Sequence, residues 1–269
     1  MIKKIVLLVT VLTLSSLALA QQGNHAALAS APATSTCAYT FSSGSGVNAT
    51  KFCVTANGNI TQFSNPAGND HIANSANWNS EGYAICDFAP SSPVAYFDYA
   101  TNDSGNWLGT SLLSSTAAAV KLQRITSDGL WQITQTITKV NATATSPGGA
   151  KVTMAIKNLS GISRVAYFYR FADIDANNDY TTDDQMVSYR QYTAQDAYSY
   201  GLALTASTSP YLVEGLLYNT FGVGPDPCNP GTGYVPAGYF HGDGAGVLWY
   251  YTTFAKGATK TVTMTYKAF

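Results

Sequence analysis

The sequence predicts an all-β protein, a predominantly antiparallel two-sheet β-sandwich that is large enough to curve, preceded by a signal peptide and a flexible leader. Three observations carry that reading. Apolar and polar residues alternate with a period of two over long stretches, the pattern of strands with one buried and one wet face. Turn dipeptides sit between these stretches. Charged residues make up only 11% of the chain, against roughly 25% in ordinary soluble domains. Thr, Ser, Asn, Gly and Tyr supply the polar surface instead, as on the exposed strand faces of extracellular β-proteins.

The chain opens MIKKIVLLVTVLTLSSLALA, residues 1–20. Lys3 and Lys4 form a basic start, Ile5 to Leu17 are almost wholly apolar, and Ala18-Leu19-Ala20 fits the small-x-small cleavage rule of a secretory signal peptide. The apolar run is too short for a comfortable membrane span, and no later segment offers a spanning helix. Residues 21–36, QQGNHAALASAPATST, are small and polar without periodicity and read as the leader. Residues 37–269 are expected to form one domain, since about 250 residues suffice for one large core.

Within that domain, LWQITQTITKV places Trp131, Ile133 and Ile137 on one face and Gln132, Thr134, Thr136 and Thr138 on the other. KVTMAIKN and TKTVTMTYK repeat the pattern, with Val152, Met154 and Ile156, and with Val262, Met264 and Tyr266. Asn57-Gly58 and Asp128-Gly129 are strong hairpin signals, and SPGGAKV and KNLSGISRV mark two further connections. The one stretch that reads as a helix is Ser111 to Val120, on the strength of three consecutive alanines. Two long irregular connections, 65–82 and 219–245, are candidates for function.

Without Lys3 and Lys4 the chain holds 12 basic residues against 15 acidic ones, a charge of about −3. With no basic patch, nucleic acid is not the expected partner. Cys37, Cys53, Cys86 and Cys228 are even in number and follow an export signal, so disulfides are expected. Three pairings are possible. Cys37–Cys53 with Cys86–Cys228 is preferred, because one closes a short segment and the other ties the two halves together.

FADIDANNDYTTDD, residues 171–184, gathers five aspartates and two asparagines. Counted from Asp173, positions 1, 3, 5, 7 and 12 are Asp173, Asp175, Asn177, Asp179 and Asp184. This is the oxygen-ligand spacing of a twelve-residue calcium loop. Position 6, which must turn sharply, is Asn178, and position 12 is Asp where the longer Glu is usual. A structural Ca²⁺ is expected here, with a solvated turn or a catalytic carboxylate cluster as the other readings. His71, Glu81 and Tyr83 lie in NDHIANSANWNSEGYAICD, and His241 lies in GYFHGDGAG. Carboxylate, imidazole and phenol are the groups that move protons in glycoside and uronate chemistry, and these four are the catalytic candidates. The chain also holds 18 Tyr, 11 Phe and 4 Trp. VAYFYRF and VLWYYTTF put rings on both strand faces, and rings left exposed suit stacking on sugars. GxSxG, Walker and HExxH motifs are absent.

FCVTANGNITQFSNPAGNDHI, EGYAICD, SRVAYFYRFADIDAN, DPCNP and the closing GATKTVTMTYKAF resemble, in order from Cys37 to Phe269, a group of uncharacterised bacterial secreted β-sandwich proteins. The resemblance implies an envelope or extracellular protein without assigned activity and makes the Asp-rich loop part of the architecture. The expectation is therefore a secreted, periplasmic or extracellular, non-catalytic protein. It would bind carbohydrate or another cell-surface component and carry a structural calcium loop. A polysaccharide-active enzyme, lyase or glycoside hydrolase, is the second reading.

Overall fold

A computed structural model describes residues 36–66, 68–72, 81–178, 181–188, 190–207, 212–217, 226–228, 239–242 and 244–269. The expected signal peptide and nearly all of the leader lie outside these residues, as do Asp179 and most of 73–80 and 219–238. The described residues contain eighteen strands and no α-helix. No helix among them is long and apolar enough to cross a membrane.

Three antiparallel sheets are present. A small one joins β1 (Cys37–Ser43), β2 (Thr50–Thr55) and β3 (Ile60–Ser64). The six-stranded sheet contains β4 (Glu81–Asp87), β5 (Val94–Tyr99), β6 (Asn102–Asp103), β11 (Arg164–Asp173), β15 (Leu212–Leu217) and β17 (Gly244–Phe254). Its order is β15-β17-β11-β4-β5-β6. The nine-stranded sheet contains β7 (Ser111–Ser115), β8 (Ala119–Ile125), β9 (Trp131–Val140), β10 (Gly149–Asn158) and β12 (Thr182–Ser188). It also takes in β13 (Gln191–Gln195), β14 (Gly201–Ala206), β16 (Tyr239–Gly242) and β18 (Thr259–Ala268). Its order is β16-β12-β13-β14-β18-β10-β9-β8-β7.

Alternation does the sorting. Trp131, Ile133 and Ile137 of β9, Val152, Met154 and Ile156 of β10, and Val262, Met264 and Tyr266 of β18 are buried. So are Ile85 of β4 and Ala166 and Phe168 of β11, and one apolar core collects all of them. On the other side of the nine-stranded sheet, neighbouring threonines face each other in register, with Thr153 opposite both Thr136 and Thr263. A one-residue slip would turn every one of these faces inside out.

The Asn57-Gly58 signal is a hairpin between β2 and β3, and its tip enters the interior. Gly58 has φ +94°, and a Cβ there would lie 2.5 Å from the Gln135 amide. Only glycine combines that backbone with that approach. At the second signal, Asp128 Oδ1 accepts from Leu130 N at 3.0 Å and Gly129 takes φ +71°.

Ser111 to Val120 is not a helix. It is the hairpin of β7 and β8, turned at Thr116, whose N–H donates to Ala119 O at 2.8 Å. The alanines occupy the turn and the first position of β8. Pairing of β8 with β9, with Val120 and Leu122 buried in the core, outweighs alanine's helix preference. The disulfides are Cys37–Cys53 and Cys86–Cys228, with Cα separations of 5.5 and 5.1 Å.

Candidate functional site

The acidic stretch is the crossover from the six-stranded to the nine-stranded sheet: Asp173 ends β11 and Asp184 lies in β12. Asp173, Asp175 and Asp184 are buried, whereas Asn177 between them is exposed. Asn177, not Asn178, takes the left-handed conformation, at φ 60° and ψ 31°. Its N–H donates to Asp70 O at 2.7 Å, which pins the crossover to the β3–β4 connection. Both oxygens of Asp184 are engaged: the Tyr192 hydroxyl donates to Oδ1, and the Thr182 hydroxyl donates to Oδ2 at 3.2 Å. Asp184 is thus tied into the sheet. Among the described residues, no three His, Cys, Asp or Glu side chains gather as a metal site.

The four catalytic candidates do not come together at an open cleft. Glu81 and Tyr83 point from β4 into the core and are fully buried. Glu81 Oε1 lies 2.6 Å from Arg170 Nε and accepts the Tyr266 hydroxyl at 2.5 Å, while Oε2 accepts Ile60 N–H at 2.7 Å. Burial pushes the Glu81 carboxyl upward against the pull of Arg170. His71 is buried after β3, and its Nε2 donates to Asn65 O at 2.7 Å. Burial lowers its pKa, with the charges of Asp70 and Asp196 opposing. His241 stands apart on β16, exposed, with Nδ1 2.8 Å from Asp183 Oδ1.

What the interior does hold is a set of charged networks that bolt the sheets together. Arg170 of β11 also donates to Gln135 Oε1 of β9 at 2.7 Å and to Gly58 O at the hairpin tip at 3.0 Å. Arg124 of β8 pairs with Asp98 of β5, and with Asp103 of β6 at 3.0 Å. Asp98 also accepts Asn59 Nδ2 at 2.7 Å and the Tyr83 hydroxyl at 3.3 Å. Asp87 of β4 takes Arg164 at 2.5 Å and the Trp131 indole N–H at 3.0 Å. Glu81 and Tyr83 thus belong to the scaffold.

Asp98 carries a pH prediction. Burial, helped by the charge of Asp103 and opposed by Arg124, pushes its pKa up to about 7 from the ordinary 3.8. Between those values the folded protein holds a proton that the unfolded chain has released. Its contribution to stability is therefore full below pH 3.8 and is lost as pH rises toward 7. Comparing urea midpoints of wild type and Asp98→Asn from pH 4 to 7.5 should show a falling component in the wild type that the variant lacks. Identical profiles would refute the assignment.

The outward face of the six-stranded sheet is different in kind. Strand register sets Tyr167 opposite Tyr251 and Tyr169 opposite Trp249, with Cys86 and Ala84 on the next strand and Phe97 beyond Ala84. The rings form a continuous chain. Phe88 lies 5.2 Å from Tyr167, which lies 4.5 Å from Tyr251 and 6.0 Å from Trp249. Trp249 lies 5.3 Å from Tyr169, which meets Phe171 at 6.3 Å. Phe171 meets Tyr99 at 5.0 Å, and Tyr99 stacks on Phe97 at 4.7 Å. The Tyr99 end is closed, with Tyr99 and Phe171 both buried. The other end reaches solvent, with Tyr251 59% exposed and Phe88 and Tyr167 half-buried beside it.

The described residues form a large antiparallel β-sandwich with a second apolar cluster, buried at Tyr99, Tyr169, Phe171 and Trp249, that reaches solvent at Tyr251. The sequence matches no family model and no curated protein. Among solved structures, the chain is similar to a "putative aldose 1-epimerase" from Escherichia coli K12, with TM-score 0.51 and 10% identity over 86% of this chain and 99% of that one. It is similar as well to a bacterial glucoamylase in complex with acarbose, with TM-score 0.51 and 11% identity over 88% of this chain. In that case the match spans 33% of the glucoamylase chain. At these identities the likeness is one of fold.

Proposed function

We propose that the protein is a secreted, non-catalytic carbohydrate-binding protein whose ligand stacks on Phe88, Tyr167 and Tyr251. The observation that carries this reading is the ring chain that surfaces at Tyr251. Tyrosines offer an apolar face to sugar C–H groups and a hydroxyl to sugar oxygens. The two fold neighbours named above are both described in terms of sugars, which supports the same class of ligand. Two disulfides favour an oxidising compartment. The candidate acids and bases do not gather at an open cleft: Glu81, Tyr83 and His71 are enclosed, and His241 is exposed on another strand beside Asp183.

Binding to a panel of neutral polysaccharides and their oligosaccharides tests this, with reducing-end and unsaturation assays run beside it. Tyr251→Ala is expected to weaken binding about tenfold, the equivalent of one lost ring contact, and Tyr251→Phe to weaken it less. Sugar release in the assays would favour the enzyme; no retention on any glycan would end the proposal.

A structural Ca²⁺ at the crossover is the second component, with Asp173, Asp175 and Asn177 as the described candidate ligands. Calcium in tenfold excess over its dissociation constant stabilises by about 1.4 kcal/mol. A chelator is therefore expected to lower Tm by about 3–5 °C, and Asp175→Asn to erase that response. An unchanged melting curve would exclude the ion.

A further inference from the structure

Charge is divided sharply across the nine-stranded sheet. Its six contiguous strands β14-β18-β10-β9-β8-β7 hold no Asp or Glu, in a chain with 15 of them. The same strands hold Lys121, Lys139, Lys151, Lys157, Lys260 and Lys267, six of the ten lysines in the sequence. These lysines are scattered along the chain, so no basic run announces them; strand pairing brings them onto one sheet. Alternation sends Lys121, Lys151, Lys157 and Lys267 to the face turned away from the core, where the first two and Lys267 are exposed and Lys157 is half-buried. None of the four is in an ion pair among the described residues. Arg124, the one arginine on these strands, is turned inward to Asp98 and Asp103.

Register places three of them as neighbours. Lys151 faces Thr265 on β18, and Lys267 is the next residue of β18 on that face. Lys121 faces Thr136, which faces Thr153, the next outward residue after Lys151. With strands about 4.8 Å apart and alternate residues about 6.8 Å apart, Lys151 stands about 8 Å from Lys267 and about 12 Å from Lys121, measured between Cα atoms. Like charges set this way repel one another. On this face the next carboxylate along the sheet is Asp183, three strands beyond β18 and 2.8 Å from His241. Thr136, Thr138, Thr153 and Thr265 fill the positions between the lysines.

We propose that this face binds an acidic polysaccharide, with Lys121, Lys151 and Lys267 holding its anionic groups and the threonines between them taking its hydroxyls. Charge complementarity selects the anion: the molecule as a whole is slightly acidic, yet this sheet carries unpaired cations alone. The other residues of the face select among polyanions. No arginine and no aromatic ring points outward from β8, β9, β10, β18 or β14, so the face has neither guanidinium forks for phosphates nor rings on which bases stack. Threonine hydroxyls both donate and accept, as sugar hydroxyls do. The surface lies on the opposite side of the sandwich from Tyr251 and goes beyond the binding proposed there, on which it does not depend.

Titration of the full mature chain with polygalacturonate and with dextran sulfate tests the proposal and tells carboxylate from sulfate. Binding is expected at about 20 mM NaCl and should be about tenfold weaker at about 200 mM, as screening shortens the reach of the lysines. Lys121→Gln, Lys151→Gln and Lys267→Gln together are expected to weaken binding about tenfold, the effect of three exposed ion pairs, with an unchanged Tm. Lys121→Arg, Lys151→Arg and Lys267→Arg together should keep it. Tyr251→Ala should leave it as it is, which separates this surface from the aromatic one. Full binding by the glutamine variant overturns the proposal, as does loss of binding in Tyr251→Ala. So does a wild type that binds neither polymer at low salt, or one that binds a DNA duplex or phosphatidylserine vesicles as tightly as either.

Discussion

Arg170→Ala is expected to cost about 3–5 kcal/mol, the range for removing one member of a buried ion pair. For a chain of this size that is a fall in Tm of about 6–20 °C. The guanidinium is fully enclosed and serves four groups from four parts of the chain: Glu81, Tyr266, Gln135 and the carbonyl of Gly58. Its loss leaves the Glu81 carboxylate buried without a counter-charge, held only by the Tyr266 hydroxyl and the Ile60 N–H. Replacing the pair together, Arg170→Met with Glu81→Gln, should recover part of the loss but not all of it, because Gly58 O and Gln135 still lack their donor. A urea-denaturation cycle over both single variants and the double variant measures the coupling. Additive losses would mean that the pair contributes nothing as a pair.

Removal of the Cys86–Cys228 bond, as Cys86→Ala with Cys228→Ala, should destabilise by about 5 kcal/mol on the chain-entropy account, and removal of Cys37–Cys53 by about 3. The ordering follows from sequence separations of 142 and 16 residues. The longer link restrains the unfolded chain more. It also holds Cys228 against the outward face of β4, at the position where Cys86 pairs with Tyr167. Guanidinium unfolding of each double-alanine variant decides between them. Equal or reversed losses would show that native-state contacts, and not loop closure, set the values.

Much of the fold was legible because strands of this kind declare themselves. Period two in β9, β10 and β18 and the glycine turns gave the elements without any knowledge of their partners. The order of the sheets was not legible, since β18 settles between β14 and β10 through long-range pairing that local alternation does not encode. Ser111 to Val120 misled because alanine's preference is local, whereas β8 is held by its neighbour β9. The buried networks did leave a trace. Gln135 interrupts the face made by Trp131, Ile133 and Ile137, and Arg170 falls in step with Ala166, Phe168 and Ala172. A polar residue on an apolar face is a demand for a partner, and these two answer each other. Glu81 and Tyr83 suggested catalysis because sequence shows the chemistry of a side chain and not its access to solvent. The aromatic cluster was half visible: strand alternation predicted rings on both faces, but not that Tyr169, Phe171 and Trp249 would be buried and Tyr251 left exposed.

The place of the final strand has a bearing on how the polypeptide acquires its shape. Thr259–Ala268 fills the middle of the broad sheet, and Tyr266 reaches back 185 positions to Glu81. The central seam therefore cannot be zipped until Thr259–Ala268 has been made. Assembly with contacts this distant in sequence is slow, and a polypeptide that lacks Thr259–Ala268 is left with a gap between β14 and β10. Until that strand arrives the broad sheet is two separate ribbons, β16-β12-β13-β14 and β10-β9-β8-β7.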